Sequence, residues 1–287
     1  MQAVVERAID TAVERAIETM WSRYYEPLSL DDMAETAILS KFYFSRVFRS
    51  LTGISPGRFL AAIRLTKAKQ LLLETSLPVT EISYMVGYNS LGTFTSRFTR
   101  SVGVSPGRYR ACSFKGILQS AFSRPARGRQ AGAVCGWVSV PDTGTPVRVY
   151  IGTFKDPIVQ GVPSACAIRD GSGPYWLDAV PEGQCFIRAA VVGVRDLDPC
   201  PWKRRPLFIG SAEPVFMRAG RTVEVNLETR LACRLDLPIL LALPELDSGA
   251  VTGAVTGGAV TGSPPDGAGA PSGPVGGGLQ VKTARDS

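Results

Sequence analysis

The sequence predicts an α+β multidomain chain. An all-α tandem helix-turn-helix domain is expected over residues 1–114, a linker over 115–130, an all-β sandwich over 131–246 and a disordered tail over 247–287. Three observations predict this. First, residues 28–59, LSLDDMAETAILSKFYFSRVFRSLTGISPGRF, are echoed by residues 77–109, LPVTEISYMVGYNSLGTFTSRFTRSVGVSPGRY. Phe48, Gly53, Ser55, Pro56, Gly57 and Arg58 recur fifty positions later as Phe98, Gly103, Ser105, Pro106, Gly107 and Arg108. Second, helical spacing gives way after residue 130 to short Val, Ile, Tyr and Phe segments separated by Gly, Pro and Asp. Third, residues 247–287 are dominated by Gly, Ala, Pro, Ser and Thr with GAVTG-like repeats, a composition that buries no core. At 287 residues the chain is long enough for two ordinary cores.

The helices follow in order. Residues 3–25 place Val5, Ile9, Val13, Ile17, Met20, Trp21 and Tyr24 on one stripe, which reads as a packing helix. Ser29 caps a helix over Leu30–Ala37, with Asp31 and Asp32 in the first turn, where the helix dipole favours them. Ser40 is placed to cap the next, over 41–51, and Gly53 to end it. Pro56 opens a helix that runs to Glu74, burying Phe59, Leu60, Ile63, Leu65, Ala68, Leu71 and Leu72. The second unit repeats this plan: Val79–Val86, a Gly87-Tyr88-Asn89 turn, Ser90–Ser101, then a short helix from Pro106. Strands are expected at Ala133–Val140, Val147–Phe154, Ala165–Ile168, Tyr175–Leu177, Phe186–Val194, Leu207–Ile209, Val223–Leu227 and Ala232–Leu237, a spacing that suits an antiparallel sandwich or barrel.

Charge and composition narrow the function. The net charge of +7 is concentrated: residues 36–110 hold eleven Lys and Arg against Glu74 and Glu81, a local +9. That suits an anionic partner such as nucleic acid. Histidine is absent, which removes the usual general base and metal ligand. Cys112, Cys135, Cys166, Cys185, Cys200 and Cys233 form no C-x-x-C pair and read as buried free thiols in a reducing compartment. Asp198-Pro199-Cys200-Pro201-Trp202 sets Pro beside Cys as DNA-repair alkyltransferases do, but their thiol needs a histidine to activate it. No enzyme, cofactor or metal is expected. The N-terminus alternates apolar residues with Glu and Arg, unlike a signal peptide, and the longest apolar stretch, Leu237–Leu243, is too short to span a bilayer. A soluble cytoplasmic protein with no membrane partner is the expectation.

Base reading needs side chains on the outer face of a recognition helix. Phe44, Val47 and Phe48 have the spacing of its inner face, leaving Lys41, Phe42, Ser45, Arg46 and Arg49 outside. Arg46 is the foremost candidate, since a guanidinium fork takes guanine O6 and N7 together, for about 1–3 kcal/mol of discrimination. Phe42 suits a thymine methyl; Lys41 and Arg49 suit phosphates. In the second unit the arginine falls one place later, at Arg97, about 100° around the helix. Arg97 and Arg100 are therefore assigned to phosphate, and the first unit to most of the sequence choice.

These motifs resemble the DNA-binding domain of the AraC/XylS family of bacterial regulators. The resemblance covers residues 28–110. Phe44-Ser45-Arg46-Val47-Phe48, Gly53, Ser55-Pro56, Phe59, Arg64-Leu65, Ala68 and Leu71-Leu72 match its first half. Val79, Ile82, Val86-Gly87-Tyr88, Ser90, Phe94, Phe98, Gly103, Ser105-Pro106 and Tyr109-Arg110 match its second. It implies a monomeric pseudo-repeat that reads successive major grooves of double-stranded DNA. By position it implies a base-facing set of Phe42, Ser45 and Arg46, then Leu91, Gly92, Thr95 and Ser96, with RNA polymerase as a further partner. The family usually places this domain last; here it comes first, which separates residues 131–245 from the family's usual effector domains. Residues 171–189, GSGPYWLDAVPEGQCFIRA, are similar to the strand-turn-strand of carboxypeptidase-regulatory-like, transthyretin-type sandwiches. Those are mainly non-catalytic, which implies an effector-sensing or self-association module. Trp137, Tyr150, Tyr175, Trp176 and Trp202 are candidates to line a pocket, or to pack in the core. The alternative function is a non-catalytic protein or nucleic-acid scaffold.

Overall fold

The computed structural model describes residues 2–115, 131–194, 205–233 and 235–243. The linker from residue 116 on, the tail, Cys200 and Trp202 lie outside the described residues. Seven helices and nine strands are described: α1 (Gln2–Ser22), α2 (Leu30–Ala37), α3 (Lys41–Thr52), α4 (Pro56–Glu74), α5 (Val79–Met85), α6 (Leu91–Val102) and α7 (Pro106–Lys115), then β1 (Ala131–Ser139), β2 (Val147–Phe154), β3 (Ala165–Asp170), β4 (Gly173–Pro181), β5 (Gly183–Gly193), β6 (Phe208–Ser211), β7 (Val215–Met217), β8 (Thr222–Glu224) and β9 (Leu227–Leu231).

The fifty-residue sequence repeat becomes a repeated aromatic core. In the first unit the rings of Phe44 and Phe48 lie 5.5 Å apart, and Phe48 meets Phe59 of α4 edge-on at 5.5 Å. In the second, Phe94 and Phe98 lie 5.6 Å apart and Phe98 meets Tyr109 of α7 at 5.7 Å. All six are buried. Helices α3 and α6 both stop at a left-handed glycine, Gly53 at φ 77° and Gly103 at φ 98°, whose amides bond back to Arg49 O and Thr99 O. Start signals differ. Ser29 forms a full capping box with Asp32, and Ser90 Oγ accepts from Thr93 N, but Ser40 makes no side-chain cap bond to α3. Ser40 nonetheless holds the extended backbone of a cap, and its carbonyl accepts from Phe44 N at 2.8 Å. Helix α1 packs as expected, burying Ala12, Val13, Ala16, Ile17 and Met20 on one stripe.

The strands form a nine-stranded sheet in the order β3-β2-β5-β6-β9-β1-β4, with β7 beside β5 and β8 beside β1. It curls until β3 and β4 adjoin, a nearly closed barrel. The expected all-antiparallel pairing is corrected on one side, where β1 runs parallel to β8 and β9. The chain after Gly220 comes up alongside β1 in the same direction, and Val225–Asn226 breaks it into two short strands. The expected strand at Ala232–Leu237 is also corrected: Ala232 and Cys233 are irregular, and a turn follows at Leu235–Asp236. Asp236 pins that turn by accepting from Cys233 N at 2.6 Å and from both outer nitrogens of Arg230. The Pro181-Glu182-Gly183 turn is present, with Gly183 at φ 116°, but it passes the chain from β4, which pairs with β1, to β5, which pairs with β2, β6 and β7. It is a crossing between parts of the sheet, not a hairpin. Of the thiols, Cys185 is buried and Cys135 and Cys166 are half-buried; Cys233 is exposed because it lies beyond the end of β9.

The strands keep a core of their own, around Val134, Val149, Leu177 and Ile187, while two connecting segments of the strand-rich region join the helical core. Ile158, Leu240 and Ala242 belong to the same buried cluster as the helices. The β2–β3 loop reaches the C-terminal ends of both recognition helices: Gly161 N donates to Ser101 O at 2.7 Å, Ser101 Oγ meets Gln160 Oε1, and Pro157 lies over Gly53. Arg58 pairs with Asp156 at 3.0 Å in the same place. Segment 239–243 lies on that loop through Leu240 N and Leu241 N to Val159 O, and Ala242 N donates to Val102 O. Lys69 of α4 completes the junction. Its stem is partly exposed, but its ammonium donates to the carbonyls of Ile239, Leu240 and Leu241 at 3.3, 3.1 and 3.4 Å.

Burial lowers the Lys69 ammonium from its ordinary range to about 8. The folded state thus loses this proton before the unfolded chain does, so the Lys69 contribution to stability rises as pH climbs from about 8 toward 10.5, the ordinary lysine value. Chemical denaturation across that range should give a stability difference between the parent and Lys69→Met that grows with pH; a pH-independent difference contradicts the assignment.

Candidate nucleic-acid interface

The aromatic anchors decide which side of each recognition helix faces outward. With Phe44 and Phe48 turned in, α3 exposes Lys41, Phe42, Arg46 and Arg49, and leaves Ser45 half-buried. Phe42 is 87% exposed, a large apolar ring in water with no packing role in the fold. A solvent-facing ring beside basic residues suits contact with base methyl groups. Arg46 lies over the Tyr43 ring, 5.3 Å from its centre, which holds the guanidinium near the helix surface. Lys41 is paired with Asp31 of α2 at 2.7 Å, both side chains being substantially exposed. A phosphate taken by Lys41 has only to displace an exposed partner, since such surface pairs contribute little.

On α6, burial of Phe94 and Phe98 turns out Leu91, Gly92, Ser96, Arg97, Thr99 and Arg100, with Thr95 half-buried. An open trough on this face is lined by Leu91, Gly92, Thr95, Ser96, Thr99 and Arg100. All four residues assigned to base contact by position in the second unit are therefore brought together, with Arg100 at one end. Thr99 was missed by the sequence reasoning; it stands one turn after Thr95, so the i, i+4 spacing carried the signal. Arg97 does not line the trough. It lies instead toward Tyr88, in the turn before α6. Burial raises the Tyr88 phenol above its ordinary range, and the positive charges of Arg97 and Arg64 act against that rise. The Tyr88 hydroxyl is buried and makes no hydrogen bond of ordinary geometry.

The turn that orients α6 is locked from behind. Arg64 of α4 donates to Tyr24 O and Glu26 O, both at 2.7 Å, tying α4 to the α1–α2 connection. Gly87 packs on this arginine: a Cβ there would stand 3.0 Å from the Arg64 guanidinium and 3.0 Å from Tyr24 O, and φ is +82°. Arg110 of α7 does similar work, donating to Leu72 O and Leu77 O across the end of α4. Arg64 and Arg110 thus tie neighbouring helices and their connections together. In the strand region Trp137 and Trp176 are exposed, Tyr175 is buried with its hydroxyl on Val225 O, and of these four described aromatic candidates only Tyr150 lines a cavity between the regions.

The helix-turn-helix domain family matches residues 33–111, the stretch that carries α3, α4, α5 and α6. Residues 33–111 are a helix-turn-helix domain of the kind that transcriptional regulators carry. The chain is 35% identical over 95 residues to an uncharacterized helix-turn-helix transcriptional regulator, YobQ, of Bacillus subtilis, a match covering 33% of this chain and 39% of that protein. It is 28% identical over 102 residues to the lactose operon transcription activator of Staphylococcus xylosus, covering 36% and 37%. Among solved structures it is similar to the DNA-binding domain of AdpA, a global transcriptional factor, in complex with a target DNA, at 30% identity and a TM-score of 0.34, covering 35% of this chain and 90% of that one. The chain spans less than half the length of these full-length relatives.

Two glycines on the helix-turn-helix domain should behave oppositely. Gly87→Ala meets both a left-handed backbone and the Arg64 contact, and should cost about 1–3 kcal/mol. Gly92→Ala meets only Ser90 Oγ at an ordinary 3.7 Å and should stabilise the domain by up to about 1 kcal/mol. Thermal melts of both variants check the pair.

Proposed function

We propose that the chain is a sequence-specific regulator of transcription that places α3 and α6 in successive major grooves of double-stranded DNA. The observation that carries this is the paired geometry. Two amphipathic helices, fifty residues apart, rest on matching aromatic anchors, end in matching glycines and turn their polar faces to solvent. The 19-residue α4 between the units is about 28 Å long, a rigid spacer on the scale of one DNA turn, about 34 Å. Base contact is assigned to Phe42, Ser45 and Arg46 on α3 and to Leu91, Gly92, Thr95 and Ser96 on α6. Lys41, Arg49, Arg97 and Arg100 grip phosphates. The lining of the α6 trough, and the turn of Arg97 toward Tyr88, support that division. Residues 131–246 serve as the sensing or self-association part, and RNA polymerase is the partner through which binding acts on transcription.

Arg46→Ala should relax base preference at one position by about 1–3 kcal/mol, whereas Arg97→Ala should weaken all sequences alike. Site-selection sequencing with both variants distinguishes them; a larger loss of base preference from Arg97→Ala overturns the assignment.

A scaffold that holds nucleic acid without choosing sequence is the competing reading. Both release counterions and bind with steep salt dependence, but only a regulator prefers its selected site over random DNA by roughly a thousandfold or more. Titration of selected and random duplexes at several salt concentrations should show that ratio; equal affinities would favour the scaffold.

A further inference from the structure

A cavity of about 590 Å³ opens between α4 and the strand-rich region, within the range of small-molecule sites, roughly 300–1,000 Å³. Its body is apolar, with Leu73 of α4 on one side and Ile209, Leu237 and Leu241 among the residues facing it; Trp21 of α1 adds a ring. Its charges are unequal. Lys67, Lys69 and Arg205 line it as cations. Asp236 also lines it, but that carboxylate is held by Arg230 and Cys233 N, which leaves Glu74 as the one lining carboxylate not so held among the described residues. The Lys69 ammonium is satisfied by three carbonyl oxygens and has no carboxylate within ion-pair distance among the described residues. The Lys67 ammonium lies 5.6 Å from the ring centres of Trp21 and Tyr24. Cations partly withdrawn from water and without carboxylate partners attract an anion more strongly than they do in bulk water.

We propose that this cavity binds a small amphipathic organic acid, with its carboxylate toward the Lys67, Lys69 and Arg205 side chains and its hydrocarbon body on Leu73, Ile209 and Leu241, and that occupancy changes DNA affinity. A monoanion matches the small cationic surplus, and the apolar remainder of the wall matches a ring or short chain. The second half rests on the regulator reading above. The route is on the same segment: Leu241 lines the cavity, Ala242 N donates to Val102 O at the end of α6, and Leu240 and Leu241 hydrogen-bond the β2–β3 loop, which reaches Ser101 O. A ligand that touches both α4 and Leu241 therefore favours one setting of the backbone that meets the recognition helix.

The test is calorimetry on the full chain with 3-phenylpropanoate and octanoate, each against its neutral amide. The acids should bind, and the amides should bind roughly tenfold more weakly or not at all. Arg205→Gln, at an exposed position, should weaken acid binding by about tenfold without altering the melting temperature. Leu73→Trp, which fills the cavity, should abolish binding. No heat from either acid at millimolar concentration, or equal binding of acid and amide, overturns the site. A saturating acid should shift affinity for a selected duplex severalfold in the parent and not in Leu73→Trp; an unchanged affinity on occupancy overturns the coupling. Failure of the unliganded chain to select any DNA sequence counts against the regulator reading alone, and calorimetry still decides the cavity.

Discussion

The structure depends on two trios of buried aromatic rings, Phe44, Phe48 and Phe59 in one unit and Phe94, Phe98 and Tyr109 in the other. Each buried ring contributes on the order of 2–3 kcal/mol, more than any exposed ion pair on the same helix. That burial sets the rotation of α3 and α6 about their axes. Once those rings are inward, Phe42, Arg46 and Arg49, and Leu91, Ser96 and Arg100, have no direction left but outward. The presentation of the candidate DNA-reading face is thus a consequence of core packing, and the polar residues on it need contribute nothing to the fold.

Helix α4 converts two such units into one instrument. Its front packs Phe59, Leu60, Ile63 and Leu72 among the helices. Its partly buried polar residues act as ties: Arg64 to the α1–α2 connection, against which Gly87 fits, and Lys69 to the 239–241 carbonyls. Both cations are satisfied by carbonyl oxygens and not by carboxylates. Such ties hold position without a neutral ion pair, and they leave positive charge available at the junction. The β2–β3 loop then meets the C-terminal ends of α3 and α6, so a single short loop of the strand-rich region touches both helices of the candidate interface.

Most of the helical part was legible from residue types alone. Gly53 and Gly103 stop helices because only a glycine takes φ near +80° to +100° without strain, and Pro56 starts one because its missing amide is not needed there. The outward faces of α3 and α6 followed from 3.6-residue spacing, and the trough on α6 gathers Leu91, Gly92, Thr95 and Ser96 as position implied. The strands were legible as segments but not as a sheet. Alternation marks β4 and a nearly continuous buried run marks β2, yet nothing local tells β1 to run parallel to β8 and β9, or β4 and β5 to part at Gly183.

The sequence by itself determined the duplicated helical units, their caps, their anchors and the faces they expose, since each depends on side chains within a few turns of one another. Only the tertiary structure decided that Arg97 turns to Tyr88, that Lys69 ends on three carbonyls about 170 residues away, and that segment 239–243 is an irregular strap. The physical reason is range. Helix periodicity and capping are local and are written in neighbouring residues, whereas the partner of a long cationic side chain, the order of strands and the cavity between two regions are set by which distant surfaces meet.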